Sequence, residues 1–182
     1  MILFLYEGAA TDSDTLVKRA LCMFGTANNT EYPEDAEILR TEKGKPYFKD
    51  YPEVHFSVSH TGQMWICLMA EHNVGVDIQE KKSVKFKEIA DRYFGPEEEH
   101  YVALWGEYGF FDLWVRKEAL VKFRGTTIME EMGREVARDG DLKDEIVIDG
   151  KTVYLSAVDM GDSVKCAYAT AKKEEISFEF LE

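Results

Sequence analysis

The sequence predicts an α+β fold made of two halves with loosely similar plans. The observations behind this are that strand and helix patterns alternate in blocks, that the hydrophobic period changes near position 83, and that 45% of the 182 residues are hydrophobic. Such a composition can fill one core, either of one domain or of two small halves that share it. The chain is most readily divided near Asn73, which gives an N-terminal half, 1–73, and a C-terminal half, 74–182. The strand patterns on either side of this boundary are so close in the chain that we expect the halves to pack together.

The N-terminal half begins with a strand and an amphipathic helix. The apolar run Ile2 to Tyr6 predicts the strand, and apolar residues repeat at helical spacing from Leu16 to Phe24. Asp12 or Ser13 can cap the start of this helix, and Gly25 can end it. The further strands predicted for this half are Ile38–Arg40, Val54–Ser59 and Met64–Ala70, with a turn at Lys43–Pro46.

The C-terminal half begins with the strand VGVDIQE, in which Gly75, Asp77 and Gln79 share one face. Helical patterns follow at Lys85–Tyr93, closed by Gly95, from Pro96 to about Leu104, and at Phe110–Phe123. The remaining strands are expected at Glu145–Ile148, Thr152–Val158, Val164–Ala169 and Ile176–Leu181, with a hairpin turn at Asp149–Gly150.

The net charge of −13 excludes a general affinity for nucleic acids or anionic membranes. An anionic ligand would therefore need a local basic pocket or a bound cation. Cys22, Cys67 and Cys166 are odd in number, far apart and set in apolar segments, which predicts reduced, buried thiols. No apolar run approaches the ~20 residues that span a bilayer, and the stretch from Met1 to Tyr6 is too short for a signal sequence. We expect a cytoplasmic protein.

A charged stripe on the last predicted helix suggests a site. Trp114, Glu118 and Lys122 stand at i, i+4 and i+8 and so share one face, with Lys117 beside it. One interpretation is a surface ion pair. The other is a cleft, because this helix is apolar around most of its circumference and a buried charge needs a partner. Taken alone, Asp77 could simply face water. If the helix lines a cleft, Asp77 and Glu118 could together hold magnesium, because magnesium takes one or two carboxylates plus waters and substrate phosphates.

The stretch FSVSHTG ends a predicted strand with polar residues. Ser57 and Ser59 face away from the apolar side, and His60 begins a turn that Gly62 closes. Hydroxyl, imidazole and backbone N–H groups at such a place could bind a phosphate, or the stretch is an ordinary polar turn. A Ser–His nucleophile pair is disfavoured, because nothing like a G-x-S-x-G motif is present.

The densest basic stretch, EKKSVKFKE, follows the Asp77 strand directly. It is either a solvated helix start or a docking site for an acidic partner with an apolar spot. The residues concerned are Lys81, Lys82, Val84, Lys85, Phe86 and Lys87.

Several motifs together resemble the Sfp-type 4′-phosphopantetheinyl transferases. They are Gly44–Pro46, Phe56–Gly62, Val74–Glu80 and Trp114–Lys122, in the family's order and at close to its spacing. The resemblance implies a pseudo-twofold monomer of two similar α/β halves, with coenzyme A and magnesium in the cleft between them. It also implies the activity of a holo-acyl-carrier-protein synthase. The phosphopantetheine arm of coenzyme A would move to a serine of an acidic apo acyl or peptidyl carrier protein, with release of 3′,5′-ADP.

The resemblance also assigns roles to individual residues. Asp77 and Glu118 would hold Mg²⁺, Glu118 would take the proton of the carrier serine, and Lys122 would stabilise or protonate the leaving phosphate. Coenzyme A contacts are implied for Lys117 at the pyrophosphate, Ser59 and His60 at the 3′-phosphate, Lys45 and Pro46 at the nucleotide, and Thr15 on the first helix. Gln79 stands where the family usually has an acidic residue. Its amide oxygen could reach the metal directly or through a water, but it brings no charge.

Few residues precede the first helix, where many relatives carry a longer basic segment, so His60 is expected to carry more of the 3′-phosphate contact. The alternative function is that of a relative that binds coenzyme A without transferring its arm, as a binding or regulatory module. The presence of Asp77, Lys117, Glu118 and Lys122 favours the transferase. The sequence does not name the carrier protein or its pathway.

Overall fold

A computed structural model describes residues 1–8, 12–82 and 85–182, which form two four-stranded β-sheets, two short two-stranded sheets and four helices. The strands are β1 (Ile2–Glu7), β2 (Ile38–Arg40), β3 (Pro46–Phe48), β4 (His55–Thr61), β5 (Met64–Ala70), β6 (Val74–Glu80), β7 (Ala137–Arg138), β8 (Asp141–Leu142), β9 (Glu145–Ile148), β10 (Lys151–Val158), β11 (Val164–Thr170) and β12 (Ser177–Phe180). The helices are α1 (Ser13–Ala27), α2 (Phe86–Tyr93), α3 (Pro96–Arg124) and α4 (Ile128–Glu131).

The N-terminal sheet has the strand order β12-β1-β5-β4. Strand β5 pairs antiparallel with β1 and with β4, whereas β1 pairs in parallel with β12. The apolar run of β5 is buried from Trp65 to Ala70, as the sequence predicts for a strand covered on both faces. Helix α1 covers one face of the sheet. It is capped by Asp12, which accepts hydrogen bonds from the backbone N–H groups of Asp14 and Thr15.

The C-terminal sheet is antiparallel, with the order β6-β11-β10-β9, and helix α3 packs across β6 and β11. The helix comes close to β6 at Gly75, where a Cβ atom would meet the backbone of Ala119 and Phe123. The sequence predicts two helices in the region of α3. The structure joins them but breaks the helical geometry at Gly106, which has φ 61° and ψ −137°.

Three strands of each sheet follow the same order, whereas the fourth strands, β12 and β9, lie at opposite edges. In the N-terminal half, the first strand (β1) pairs with the last (β5), which pairs with the strand before it (β4); β6, β11 and β10 repeat this arrangement in the C-terminal half. The predicted α+β class is therefore confirmed. The boundary at Asn73 stays a prediction, and β12, which lies in the range 74–182, joins the N-terminal sheet.

Strands β4 and β6 lie side by side where the halves meet, and side-chain hydroxyls join them. Residues two apart in a strand point to the same side, so alternate residues of β4 can all reach β6. Three hydroxyl oxygens of β4 accept hydrogen bonds from backbone N–H groups of β6: Ser57 from Val76 at 3.0 Å, Ser59 from Ile78 at 3.3 Å and Thr61 from Glu80 at 3.0 Å. We call this set the hydroxyl ladder. Buried apolar residues of both sheets, such as Ile66 and Ile78, belong to one continuous core.

The structure corrects several details of the prediction. Strand β4 runs to Thr61, so His60 lies within the strand and not in a turn, because pairing with β5 continues as far as Met64. The residues after Lys45, expected to end a turn, form the short strand β3, which pairs with β2. Strands β7 and β8 and helix α4 were not predicted, because elements this short leave no periodic pattern.

Candidate active site

A cleft of about 300 Å³ lies where the start of α1, the β2–β3 turn, β4 and the end of α3 come together. Four cationic side chains line it, from Arg40, Lys43, Lys45 and Lys122, against one acidic residue, Asp14. Asp14 is itself 3.5 Å from the Arg40 guanidinium. A chain with a net charge of −13 thus has a local basic pocket, which is what binding an anion would require.

Asp77 is the buried carboxylate next to this cleft. Its Oδ1 atom accepts a hydrogen bond from the Ser59 hydroxyl at 2.8 Å and from the Lys122 ammonium at 2.7 Å. Within the described residues, Oδ2 receives no hydrogen bond. Every fully buried side-chain nitrogen or oxygen of these residues has a hydrogen-bond partner, so Oδ2, which has none, is not fully buried. Oδ2 is therefore the oxygen of Asp77 that is open to a ligand.

Glu118 lies on α3 one turn before Lys122 and is half-buried. Burial raises the pKa of its carboxyl group above the usual value, repulsion from Asp77 raises it further, and Lys122 opposes the change. The two carboxylates are thus close enough to repel each other, and a cation between them would relieve this repulsion. The structure thus brings Asp77 of β6 and Glu118 of α3 near each other, and their binding of a metal stays a prediction.

The donor set fits a hard divalent cation. Asp77 and Glu118 supply carboxylate oxygens, and magnesium is commonly bound by one or two carboxylates together with waters and substrate phosphates. Over the ranges that the structure describes, no group of three or more His, Cys, Asp or Glu side chains has the arrangement of a metal site. The remaining ligands would therefore have to come from water, substrate or an uncharged side chain.

Gln79 is the uncharged candidate. It follows Asp77 by two residues in β6, and its side-chain nitrogen donates to the Glu80 carbonyl at 3.1 Å. It also lines a small recess of about 180 Å³ with the rings of Phe110 and Trp114. The structure thus places Gln79 against Trp114, one turn before Glu118 on α3, and its role toward a metal stays a prediction.

Lys117 does not reach the cleft, which corrects its predicted contact with a pyrophosphate. Its side chain is fully buried, and its ammonium pairs with the equally buried Glu98 at 2.9 Å. It also donates to the carbonyls of Met132 at 3.0 Å and Arg134 at 2.8 Å. All three donors of the ammonium therefore have partners inside the protein.

Ser59 also differs from its predicted role. The residue is 6% exposed, and its hydroxyl is engaged with Asp77 and with the Ile78 N–H of the hydroxyl ladder. This placement does not support a contact between the hydroxyl and a 3′-phosphate. His60, the next residue, is exposed and its predicted phosphate contact stays a prediction.

Lys45 and Pro46 line the cleft, and their contacts with a nucleotide stay predictions. The Lys45 ammonium donates to the Asn73 side-chain oxygen at 2.6 Å and to the Phe123 carbonyl, and burial lowers its pKa to about 8. Thr15 is exposed in the first turn of α1, where its hydroxyl donates to Asp12.

The basic stretch after β6 lies largely at the surface. Lys81 stacks over the ring of Tyr108 at 3.4 Å from its centroid, and Lys85 pairs with Glu88 at 3.0 Å. Lys82 and Lys87 are exposed. Phe86 is half-buried and packs against the C-terminal core. Val84 lies outside the described residues.

Two features of the site were missed from the sequence. Arg40 and Lys43 enter the cleft because β2 and β3 pair and bring their turn to it. The hydroxyl ladder had a signal, the alternation of Ser57, Ser59 and Thr61, which could have indicated a strand edge facing another strand.

Together the fold and the site define an α+β protein with a basic cleft where β4 meets the end of α3 and with two neighbouring carboxylates, Asp77 and Glu118, close by. The chain belongs to the 4′-phosphopantetheinyl transferase superfamily, whose family model matches residues 73–169, more than half of the chain. This region contains Asp77, Glu118 and Lys122, whereas Lys45 and Ser59 precede it.

Individual relatives agree with this family. The chain is 28% identical over 147 residues to the 4′-phosphopantetheinyl transferase Sfp of Bacillus subtilis (strain 168), covering 75% of this chain and 64% of that protein. It is 34% identical over 111 residues to the 4′-phosphopantetheinyl transferase psf-1 of Bacillus pumilus, covering 58% of this chain and 47% of that protein. The chain thus spans less than two thirds of the length of these relatives. Among the helices described, none has the length and apolar character needed to cross a bilayer.

Proposed function

We propose that this protein transfers the 4′-phosphopantetheine arm of coenzyme A to a serine of an apo acyl or peptidyl carrier protein, in a magnesium-dependent reaction that releases 3′,5′-ADP. The observation that carries the proposal is the meeting of Asp77, Glu118 and Lys122 beside a basic cleft. The order β1-β5-β4 in one half is repeated by β6-β11-β10 in the other. This repetition supports a pseudo-twofold arrangement with the site at the junction of the halves.

The chemistry is a displacement at phosphorus. The serine oxygen forms a bond to the phosphorus that carries the pantetheine arm, and the bond from that phosphorus to the bridging oxygen breaks. The serine proton passes to the carboxylate of Glu118, directly or through a water. The bridging oxygen leaves with 3′,5′-ADP, and Lys122 donates a hydrogen bond to the phosphate that develops charge.

The cleft residues bind and orient the co-substrate. Arg40, Lys43 and Lys45 provide positive charge for phosphate groups, and Pro46 provides an apolar contact beside them. Asp77 and Glu118, with the Gln79 amide directly or through a water, would hold magnesium, whose charge when bound offsets that of the pyrophosphate. His60 lies at the exposed end of β4, where it could reach a 3′-phosphate.

The carrier protein docks on the basic stretch after β6 in this proposal. Lys82, Lys85 and Lys87 present exposed ammonium groups, and Phe86 lies among them as the apolar spot. Charge reversal at Lys85 and Lys87 should raise the KM for the carrier at low salt and leave the affinity for coenzyme A unchanged. An unchanged carrier KM would refute this docking surface.

The decisive experiment incubates the protein with coenzyme A, magnesium and a panel of apo carrier proteins and measures the mass of each carrier. We expect at least one carrier to gain the mass of a phosphopantetheine arm. No gain across the panel, together with measurable binding of coenzyme A, would favour the alternative of a coenzyme A-binding module. The same panel would identify the carrier and its pathway.

A further inference from the structure

The hydroxyl ladder contains one member that differs from the other two. Ser57, Ser59 and Thr61 each accept one backbone N–H of β6, so each stabilises the junction of the halves in the same way. Ser59 alone of the three also donates to a carboxylate, Oδ1 of Asp77, at 2.8 Å. A hydroxyl has one proton and two acceptor positions, so Ser59 can serve the Ile78 N–H and Asp77 at once.

The bond from Ser59 determines which oxygen of Asp77 faces the cleft. Oδ1 is held by Ser59 from β4 and by Lys122 from α3, and Oδ2 receives no hydrogen bond from the described residues. With Ser59 only 6% exposed, its hydroxyl is kept in place by the strands around it. Two donors on one oxygen hold the orientation of the carboxylate plane, because rotating the plane away would break both hydrogen bonds.

We propose that Ser59 is a positioning residue that acts through Asp77. It holds the carboxylate so that Oδ2 is presented to the divalent cation. The inference rests on the proposed function. It replaces the expectation that the Ser59 hydroxyl contacts the 3′-phosphate of coenzyme A. It also means that β4 of the N-terminal half contributes to the carboxylate site on β6 of the C-terminal half. These two strands belong to different sheets and share no backbone pairing in the described residues.

The test compares Ser59→Ala with Ser57→Ala, a matched control. Both substitutions remove one hydroxyl acceptor from a backbone N–H of β6, so both should lower the unfolding free energy measured in urea, with the larger loss in Ser59→Ala. Only Ser59→Ala also removes a bond to Asp77. Ser59→Thr keeps the hydroxyl, and Thr61 shows that a threonine hydroxyl can accept a β6 N–H in the ladder.

The readout is binding of Mn²⁺, used as a spectroscopic substitute for Mg²⁺, measured by electron paramagnetic resonance with coenzyme A present. Loss of a side chain that orients a metal ligand typically weakens metal binding by about tenfold or more. We expect Ser59→Ala to raise the Kd for Mn²⁺ by about tenfold, Ser57→Ala to leave it unchanged, and Ser59→Thr to restore it. Affinities for coenzyme A and for dephospho-coenzyme A should change in parallel in Ser59→Ala.

Distinct results would overturn the inference or the function beneath it. If Ser59→Ala binds Mn²⁺ as the wild type does, or if Ser57→Ala loses as much affinity, Ser59 is only part of the junction. If Ser59→Ala weakens coenzyme A and spares dephospho-coenzyme A, the hydroxyl serves the 3′-phosphate instead. A wild-type protein that binds no Mn²⁺ with coenzyme A present would overturn the metal site of the proposed function as well.

Discussion

The ammonium of Lys122 lies 2.7 Å from Oδ1 of Asp77 and joins helix α3 to strand β6 at the junction of the two halves. The pair is partly buried, so its attraction is screened less than that of a surface pair. It neutralises one of two neighbouring carboxylates, Asp77 and Glu118, that repel each other. The same ammonium lines the basic cleft, where the proposed function has it donate to the leaving phosphate.

Lys122→Met should therefore impair transfer. Removing one preorganised donor from a site of developing charge typically costs about 100-fold or more in kcat. We expect a fall of that order in carrier loading, followed by mass spectrometry. Lys49→Met is the matched control, because Lys49 is an exposed lysine that pairs with Glu37 away from the cleft. An undiminished kcat in Lys122→Met would remove this residue from the reaction.

Glu118→Gln should separate binding from transfer. Glutamine keeps the shape of the side chain but cannot accept the serine proton, and a general base contributes roughly 10² to 10⁴ in rate. We expect transfer to fall within that range while calorimetry still detects coenzyme A binding. Glu99→Gln changes an exposed glutamate of the same helix and should transfer normally. Full activity in Glu118→Gln would exclude this carboxylate as the base.

Gly75→Ala should disturb both stability and rate. A Cβ at Gly75 would meet backbone atoms of Ala119 and Phe123, with the Phe123 Cα only 2.8 Å away, so α3 would have to move from β6. Overpacking of this kind costs about 1–3 kcal/mol in unfolding free energy and would carry Glu118 away from Asp77. Urea unfolding and carrier loading measure the two effects. Gly133→Ala, where the new methyl group has open space, should be nearly neutral.

Lys117→Met should destabilise the fold without a specific effect on coenzyme A. The substitution leaves Glu98 buried without its partner, which typically costs about 3–5 kcal/mol. Adding Glu98→Gln removes the unpaired charge and keeps an acceptor for the Val136 N–H, so the double variant should regain part of this loss in urea unfolding. If Lys117→Met is stable and binds coenzyme A more weakly, Lys117 contacts coenzyme A after all.

The contribution of Lys45 to stability should depend on pH. Burial lowers the pKa of Lys45 to about 8 in the folded protein, whereas an unfolded lysine titrates near its ordinary value of 10.5. Below pH 8 both states hold the proton and the cost of burying the charge is present in full. Between pH 8 and 10.5 the unfolded chain holds more protons, so stability from this group rises with pH.

Urea unfolding at pH 7.5 and 9.5 tests this sign. The stability of the wild type relative to Lys45→Met should increase from the lower to the higher pH. The hydrogen bond with Glu37 raises the pKa of Lys49, so the difference between wild type and Lys49→Met should stay constant over this interval. If the stability of the wild type relative to Lys45→Met decreases from pH 7.5 to 9.5, the carbonyl contacts of Lys45 hold its proton more strongly than burial removes it.

Periodic patterns predicted the parts of the site that depend on a single element. The alternation of β6 put Asp77 on a polar face, and the i, i+4 spacing of α3 put Glu118 and Lys122 on one stripe. Lys117 is next to Glu118 in sequence but lies about a quarter-turn around the helix. Its direction was decided by Glu98, which lies on the far side of the break at Gly106 and cannot be paired with it by local spacing. The role of Ser59 likewise depended on which strand lies beside β4, a tertiary relationship that no local pattern contains.

The parallel pairing of β1 with β12 has a consequence for synthesis on the ribosome. Strands β1, β4 and β5 emerge early and can pair with one another, but one edge of β1 has no partner until β12 emerges after the other described strands. An unpaired edge of an apolar strand is a template for pairing with another chain. The nascent protein thus has an open edge on its first sheet until β12 is made, and pairing with β12 then protects that edge against aggregation.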